Sequence, residues 1–154
     1  MQDKTNLNLW IAALRSGEYE QGTSALCNLV RDYDQDDEPV ISAYFCCLGV
    51  LADVASKNGL DIKVSDGPYL RSYGDAVSYP TLSVVRWLYS AKEGTESTRN
   101  FSTNGGFDHM EGAMEWWAAR GDTRSHDTLA AINDHEIGSF ADIADFLEEF
   151  ADKL

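Results

Sequence analysis

The feature that most constrains the fold is residues 45–59, FCCLGVLADVASKNG, the most apolar run of the chain. Apolar residues recur along this run at the spacing of an α-helix, and further ones leave little of the circumference polar. They are Tyr44, Phe45, Cys47, Leu48, Val50, Leu51, Val54 and Ala55. Asn58 and Gly59 favour the left-handed conformation that ends a helix. The run therefore predicts a central buried helix, too short to span a bilayer, around which the rest of the chain packs.

The length and composition are those of one ordinary domain. The chain has 154 residues, 44% of them hydrophobic, which is enough to bury a sizeable core. We therefore expect a single domain, residues 1–154. Five further helices are predicted. The first covers 7–16, with Asn6 as its cap and Gly17 at its end, and the second starts at Pro80 and buries Leu82, Val85 and Leu88. The others cover 108–121, where Asp108 and Glu111 form a capping-box-like pair, 127–133, and the segment that starts at the Ser139–Asp142 capping box.

Strand signals are fewer and shorter than helix signals. Residues 60–65 alternate apolar and polar, the period of a half-buried strand, and the DGP sequence at 66–68 indicates a turn. Val40 and Ile41 predict a short strand running into the central helix. Residues 25–30, ALCNLV, fit a strand or a second short helix equally well. The predicted class is a helix-rich α+β domain with a central buried helix and a few short strands.

The charge balance is strongly acidic. Twelve Lys and Arg stand against 26 Asp and Glu, a formal net charge of −14. Such a surface repels phosphate backbones, which argues against direct nucleic-acid binding and against a polybasic membrane patch. Two interpretations stay open: a charged surface that keeps the protein soluble, or mimicry of a nucleic acid.

Five carboxylates concentrate in residues 31–39, RDYDQDDEP. The D-x-D-x-D start resembles a calcium-binding loop, but the glycine and bidentate glutamate that an EF-hand needs are replaced by Asp37 and Ala43. A solvated loop between two strands, or between a strand and a helix, is the expectation for this segment.

No set of residues indicates a reaction. The three cysteines, Cys27, Cys46 and Cys47, form no disulfide framework, and the N-terminus lacks a secretory signal, so we expect buried thiols in a reducing cytoplasm. The histidines have no zinc spacing, and no glycine-rich loop is suited to cradle phosphate. We therefore expect a protein that is not an enzyme and that uses no cofactor or metal.

Arginine next to aromatic residues is the pattern most suggestive of ligand binding. Seven of the twelve cations are arginine, the residue that pairs phosphate or carboxylate in a planar fork. Arginine with stacked aromatic rings can hold a nucleotide-like ligand without performing chemistry on it. The alternative for each arginine is a salt bridge to one of the abundant acids. The predicted ligand-binding residues are Arg15, Tyr19, Gln21, Tyr73, Arg86 and Trp87.

Three segments together resemble a family of small proteins encoded by tailed bacteriophages and prophages. They are WIAALRSGEYEQG at 10–22, FCCLGVL at 45–51 and TLAAINDHEIGSFADIADFLEE at 128–149. The acidic segment 31–39 and the middle of the chain, 66–121, depart from the family pattern. The family carries no assigned reaction, so the resemblance transfers no catalytic residue; it implies a phage accessory function.

The combined expectation is a phage counter-defence protein in the host bacterial cytoplasm. It would bind and sequester a small anionic, cyclic nucleotide immune signal without catalysis, and it would form a homo-oligomer. The alternative is an acidic inhibitor or nucleic-acid mimic that binds a host defence or DNA-handling protein directly. In both cases the chain binds neither nucleic acid nor a membrane.

Overall fold

A computed structural model of the protein describes residues 3–90, 103–108, 110–121 and 126–154. Those residues form six α-helices and five short strands, which confirms the predicted helix-rich α+β class. In chain order the elements are α1 (Thr5–Arg15), β1 (Glu20–Gln21), β2 (Cys27–Tyr33), β3 (Pro39–Phe45), α2 (Cys47–Lys57), β4 (Val64–Asp66), β5 (Arg71–Tyr73), α3 (Leu82–Leu88), α4 (Ala113–Ala118), α5 (Leu129–Asp134) and α6 (Phe140–Glu149).

The central helix is confirmed. Every residue of α2 from Cys47 to Ala55 is buried, and α2 contacts α1, α3 and α5. Cys46 caps its N-terminus, since the Cys46 sulfur accepts a hydrogen bond from the Gly49 N–H at 3.3 Å. Gly59, with a φ of +98°, follows the C-terminal end in the left-handed conformation expected there.

Gly49 allows α2 to approach the strand layer closely. A Cβ atom at this position would lie 1.7 Å from the carbonyl oxygen of Leu26, so any side chain would collide with backbone. The glycine in the CCLGVL segment is therefore a packing requirement.

The strands form two small sheets. One has the order β1-β3-β2, with β2 and β3 antiparallel and β1 parallel to β3; the other pairs β4 with β5. The segment 25–30, which the sequence left open, enters strand β2. The acidic segment is the end of a hairpin, where the carboxylate of Asp34 accepts hydrogen bonds from the N–H groups of Asp36 and Glu38. A loop between two strands was one of the two predicted settings.

Several predicted boundaries were wrong. Asn6 does not cap α1: the helix begins after Lys4 with no side-chain cap, and the Asn6 amide donates to the Trp87 carbonyl instead. The predicted strand at 60–65 is reduced to Val64–Asp66. In α3 the core face carries Val84, Val85 and Leu88, while Leu82 is 61% exposed.

The C-terminal helices follow the sequence signals more closely. The Ser139–Asp142 capping box is present at the start of α6, and Phe140, Ile143, Ala144 and Leu147 are buried as expected. By contrast, α4 begins only after Gly112, so Asp108 and Glu111 do not form its cap.

Candidate functional site

A groove of about 640 Å³ opens beside α3, and we call it the α3 groove. One wall is a face of the helix itself, because Ser83, Arg86 and Trp87 lie at helical spacing on the side opposite the core residues, and Ser90 extends this wall just beyond the helix end. The rest comes from the start of α1 and the connection between α2 and β4. The lining residues are Asn6, Leu60, Asp61, Ser83, Arg86, Trp87 and Ser90.

Arg86 differs from the other arginines of the described residues. Arg15 and Arg71 bind carboxylates, whereas Arg31 and Arg120 donate to backbone carbonyls. Within the described part of the chain, Arg86 makes neither a hydrogen bond nor an ion pair, although it is half-buried in the groove wall. Its guanidinium is therefore available to an anion that enters the groove.

Trp87 is held in place beside Arg86 by two hydrogen bonds. Its indole N–H donates to the Asn58 carbonyl at 3.3 Å, and its own carbonyl accepts from the Asn6 side-chain amide at 2.6 Å. These bonds connect α3 to the end of α2 and to α1. The half-buried ring is thus fixed in the groove wall, where it can offer a face to a planar ligand.

Arg15 does not lie in the α3 groove. Its guanidinium forms ion pairs with Asp145 and Glu148 on α6, both at 2.8 Å, and so connects the first helix with the last. The hydrogen bonds to Glu148 and Asp145 raise the pKa of Arg15. Arg15 therefore has the alternative role named for each arginine, a salt bridge to an acidic residue.

Tyr19 and Tyr73 meet at a buried carboxylate, that of Asp53 on α2. The Tyr19 hydroxyl donates to Asp53 at 2.6 Å and the Tyr73 hydroxyl at 2.9 Å, while the Lys57 ammonium lies 2.7 Å from the same carboxylate. Asp53 is only 5% exposed. Tyr73 is fully buried, so as a ligand-stacking surface its prediction was wrong: burial in the core leaves no face of the ring accessible.

The charged form of Asp53 is stabilised by its partners. Burial by itself would raise the pKa of this carboxyl, but hydrogen bonds from Lys57, Tyr19 and Tyr73 outweigh burial and hold the pKa below its usual value. Burial and the hydrogen bond to Asp53 raise the pKa of Tyr19, and burial together with the Asp53 charge raises that of Tyr73. Both tyrosines therefore stay protonated as donors, and this arrangement joins the segment after α1 to α2 and β5.

Gln21 belongs to a second polar network, centred on the fully buried Asn133 of α5. The Gln21 amide donates to the Asn133 side-chain oxygen and to the Gly138 carbonyl, both at 3.0 Å. The Asn133 oxygen also accepts from the Cys47 N–H at 3.1 Å, and its amide donates to the Gly22 carbonyl at 2.8 Å. A cavity of about 280 Å³ adjoins this network.

Neither Asn133 nor Asp53 was among the site residues predicted from the sequence. A signal for Asn133 was present, since Gln21, Cys47 and Asn133 each belong to one of the three segments that carry the family resemblance. These segments meet through the hydrogen bonds of the network, which connects β1, α2 and α5. Asp53 had no such signal, because Tyr19 and Tyr73 are distant in sequence and only Lys57, four residues further along α2, is near.

The cysteines are not arranged as nucleophiles. All three are buried, and burial raises the pKa of Cys27 and of Cys46 to about 11 and that of Cys47 well above its ordinary value. His126 and His135 stack with ring centroids 4.4 Å apart, and His109 is outside the described residues. Among the residues that the structure covers, no group of three or more His, Cys, Asp and Glu could hold a metal ion.

Comparisons with known proteins place the chain in a family without assigning an activity. Within the described residues, no helix is both long and apolar enough to cross a membrane. No curated protein and no solved structure matches the chain. A family model described as a domain of unknown function, DUF8296, matches residues 1–151, and the chain therefore belongs to that family.

Proposed function

We propose that the protein is a non-catalytic phage accessory protein that binds and sequesters a small anionic, nucleotide-like ligand in the α3 groove. Such a protein would act in the cytoplasm of the host bacterium as a counter-defence factor by removing a cyclic nucleotide signal. The observation that carries this proposal is the half-buried Arg86, which has no partner in the described residues and lies beside the fixed ring of Trp87.

The chemistry of the groove fits a phosphate-bearing ring system. A guanidinium can pair two phosphate oxygens at once, and an indole face can stack on a base. Ser83, Ser90 and Asn6 add hydroxyl and amide groups for hydrogen bonds. The groove volume of about 640 Å³ falls in the usual range of small-molecule sites.

Asp61 makes the groove selective for charge distribution. Its carboxylate lines the same groove as Arg86, so a ligand with negative charge spread over its whole surface would be repelled at one end. A ligand with phosphate at one end and hydroxyl or amino donors at the other would satisfy both residues. Cyclic nucleotides have this polarity.

Sequestration is proposed in preference to catalysis because the described lining residues do not pair a nucleophile with a general base. Arg86 and Asp61 are the only ionisable residues among them. We also propose self-association, because a small protein that binds a signal often combines several copies.

The test is a thermal-shift and calorimetry screen of the purified protein against cyclic dinucleotides, cyclic oligonucleotides, cyclic ADP-ribose isomers and ordinary nucleotides. A ligand at about 100 times its dissociation constant should stabilise the fold by roughly 2.7 kcal/mol. The ligand should be recovered chemically intact after long incubation. Hydrolysis of the ligand would contradict sequestration.

Two arginine variants locate the site. Arg86→Ala should weaken ligand binding by roughly tenfold or more, because a charged hydrogen bond is lost. Arg15→Ala is the matched control: it removes an arginine whose partners are Asp145 and Glu148, so ligand affinity should stay unchanged. Equal affinity of Arg86→Ala and the wild type, or no ligand in the whole screen, would refute the assignment.

A further inference from the structure

The β2–β3 hairpin projects from the rest of the protein. Every residue from 30 to 41 is exposed, and we call this segment the hairpin arm. It consists of the outer halves of β2 and β3 and the acidic turn between them. A two-stranded ribbon without a covering layer is marginally stable in water, so the arm gains little from the core.

The arm carries large apolar side chains on both of its faces. Asp32 pairs with Val40 and Arg31 with Ile41 across the two strands. Because paired residues share a face and neighbours alternate, Val30 and Val40 lie on one face, while Tyr33 and Ile41 lie on the other. Their exposed fractions are 49% for Val30, 71% for Tyr33, 43% for Val40 and 50% for Ile41. An exposed apolar surface of this kind is typical of a docking site.

One edge of the arm is open. The Asp34 N–H donates to the Glu38 carbonyl, and the Phe45 carbonyl accepts from the Gly22 N–H on the opposite side of β3. Since backbone groups alternate in direction along a strand, the N–H and carbonyl of Ile41 point away from β2. Pro39 faces the same way, which explains how a residue without an N–H fits this strand.

The open edge lies next to β1 along the same side of β3. β1 pairs only with Tyr44 and Phe45, and no described strand pairs with 39–43 on this side. The opposite edge of the hairpin, on β2, is bordered by the segment before β5: the Leu29 N–H donates to the Tyr69 carbonyl, and the Arg31 guanidinium donates to the carbonyls of Gly67 and Pro68. Along the arm, the β3 edge is therefore the one that no neighbouring described segment borders.

The charge of the arm decides what can be added. The acidic segment contributes five carboxylates, and no lysine or arginine of the described residues forms an ion pair with them. A second copy of this chain brings a further net charge of −14, so like charges oppose pairing between copies. A cationic segment would instead be attracted by the carboxylates of the arm.

We propose that the open edge of β3 takes up an extended, cationic and apolar segment of a partner protein as an added strand. Backbone hydrogen bonds to Ile41 and the Pro39 carbonyl would fix the segment, its apolar side chains would cover Ile41, and its lysines or arginines would meet the carboxylates of the turn. This inference is independent of the α3 groove, and it gives the acidic-inhibitor alternative a specific surface.

The test uses a defined probe, the blocked peptide Lys-Val-Lys-Val-Lys-Val-Lys, with the isotope-labelled full chain. Hydrogen exchange measured by NMR should show the Ile41 amide slowed by roughly tenfold or more at saturating peptide, because it gains a hydrogen bond. The Val40 amide, which points to β2, should change little. Affinity should fall steeply between about 50 and 500 mM salt.

Two control peptides separate strand addition from simple charge attraction. A peptide with proline in place of valine keeps the charge but cannot form a strand, and a peptide with glutamate in place of lysine keeps the strand but reverses the charge. Neither should protect Ile41. Protection by either control, or none by the valine–lysine peptide, would overturn the proposal.

Charge variants of equal size give the final control. Asp36→Asn with Asp37→Asn and Glu38→Gln should weaken peptide binding severalfold, because three uncompensated charges at the turn are removed. Glu115→Gln with Glu136→Gln and Glu149→Gln removes the same charge from exposed positions elsewhere and should bind like the wild type. Equal binding by both triple variants, or Ile41 protection that rises with protein concentration alone, would contradict a cationic partner.

Discussion

Helix α2 and the hairpin arm differ in which side chains they bury: α2 buries a carboxylate, and the arm exposes apolar side chains. All nine residues from Cys47 to Ala55 are buried, and among them is the carboxylate of Asp53, which three donors satisfy. In the arm, valines, an isoleucine and a tyrosine are exposed to solvent. Polarity alone thus does not decide what is buried. A charged group is tolerated inside when partners are supplied, and apolar groups remain outside when no element covers them.

Gly49→Ala is the substitution expected to destabilise the packing of α2 most. The new Cβ would lie 1.7 Å from the Leu26 carbonyl oxygen, and neither backbone segment can move without disturbing the core. We expect a loss of about 4 kcal/mol or more in the free energy of unfolding, or no folded protein. Urea denaturation followed by circular dichroism measures this loss.

Gly121→Ala serves as the control for that substitution. Among the described residues, no atom lies within 4 Å of a Cβ built at Gly121, so the stability of Gly121→Ala should stay within about 0.5 kcal/mol of the wild type. A Gly49→Ala protein as stable as Gly121→Ala would show that α2 does not approach the Leu26 backbone as closely as described.

Asp53→Asn tests whether the buried carboxylate stabilises the fold. The amide group cannot accept hydrogen bonds from Tyr19, Tyr73 and Lys57 together, so we expect a loss of roughly 2–3 kcal/mol at neutral pH. The pH dependence should also change. Because the folded protein holds the pKa of Asp53 below its unfolded value near 4, its stabilisation is complete above about pH 5 and is lost as the pH falls through the folded pKa.

The decrease in unfolding free energy between about pH 5 and pH 3 should therefore be smaller in Asp53→Asn than in the wild type. It should not vanish, because the hydrogen bond from Arg71 also holds the pKa of Asp66 below its usual value. Identical pH profiles for the two proteins would indicate that Asp53 is not ionised in this arrangement.

The smallest expected effects come from one substitution, valine to alanine, made once in α2 and once in the hairpin arm. Val50→Ala removes two methyl groups from the fully buried face of α2 and should cost about 2 kcal/mol. Val40→Ala makes the same change in the arm, where the side chain is exposed, and should cost less than about 0.5 kcal/mol. A large cost for Val40→Ala in thermal or urea unfolding would mean that the arm is covered in solution.

The spacing of apolar residues predicted those elements whose buried face can be recognised from one segment of sequence. The apolar positions of α2 and α6 and the Ser139 cap follow from helical spacing alone. The exposure of Val30, Val40 and Ile41 did not follow, because valine and isoleucine indicate a strand equally well whether or not a second layer covers them. Arg86 and Trp87 lie in one groove because they are adjacent in sequence on α3, so the sequence was sufficient to place them together.

The remaining site residues depend on contacts between distant segments. Arg15 finds Asp145 and Glu148, and Gln21 finds Asn133, more than a hundred positions away in the chain. A sequence with so many carboxylates cannot indicate which one an arginine selects. Periodicity likewise carries no information on such pairs, because the three-dimensional fold brings them together.

The Gln21–Asn133 network has a consequence for how related chains diverge. Its members lie in three distant stretches of the chain, whereas Arg86 and the arm lie outside those stretches. A relative that keeps the network is expected to inherit the scaffold, yet it stays free to exchange Arg86 or to reshape the hairpin. Shared motifs would then report common descent, and binding specificity would have to be determined member by member.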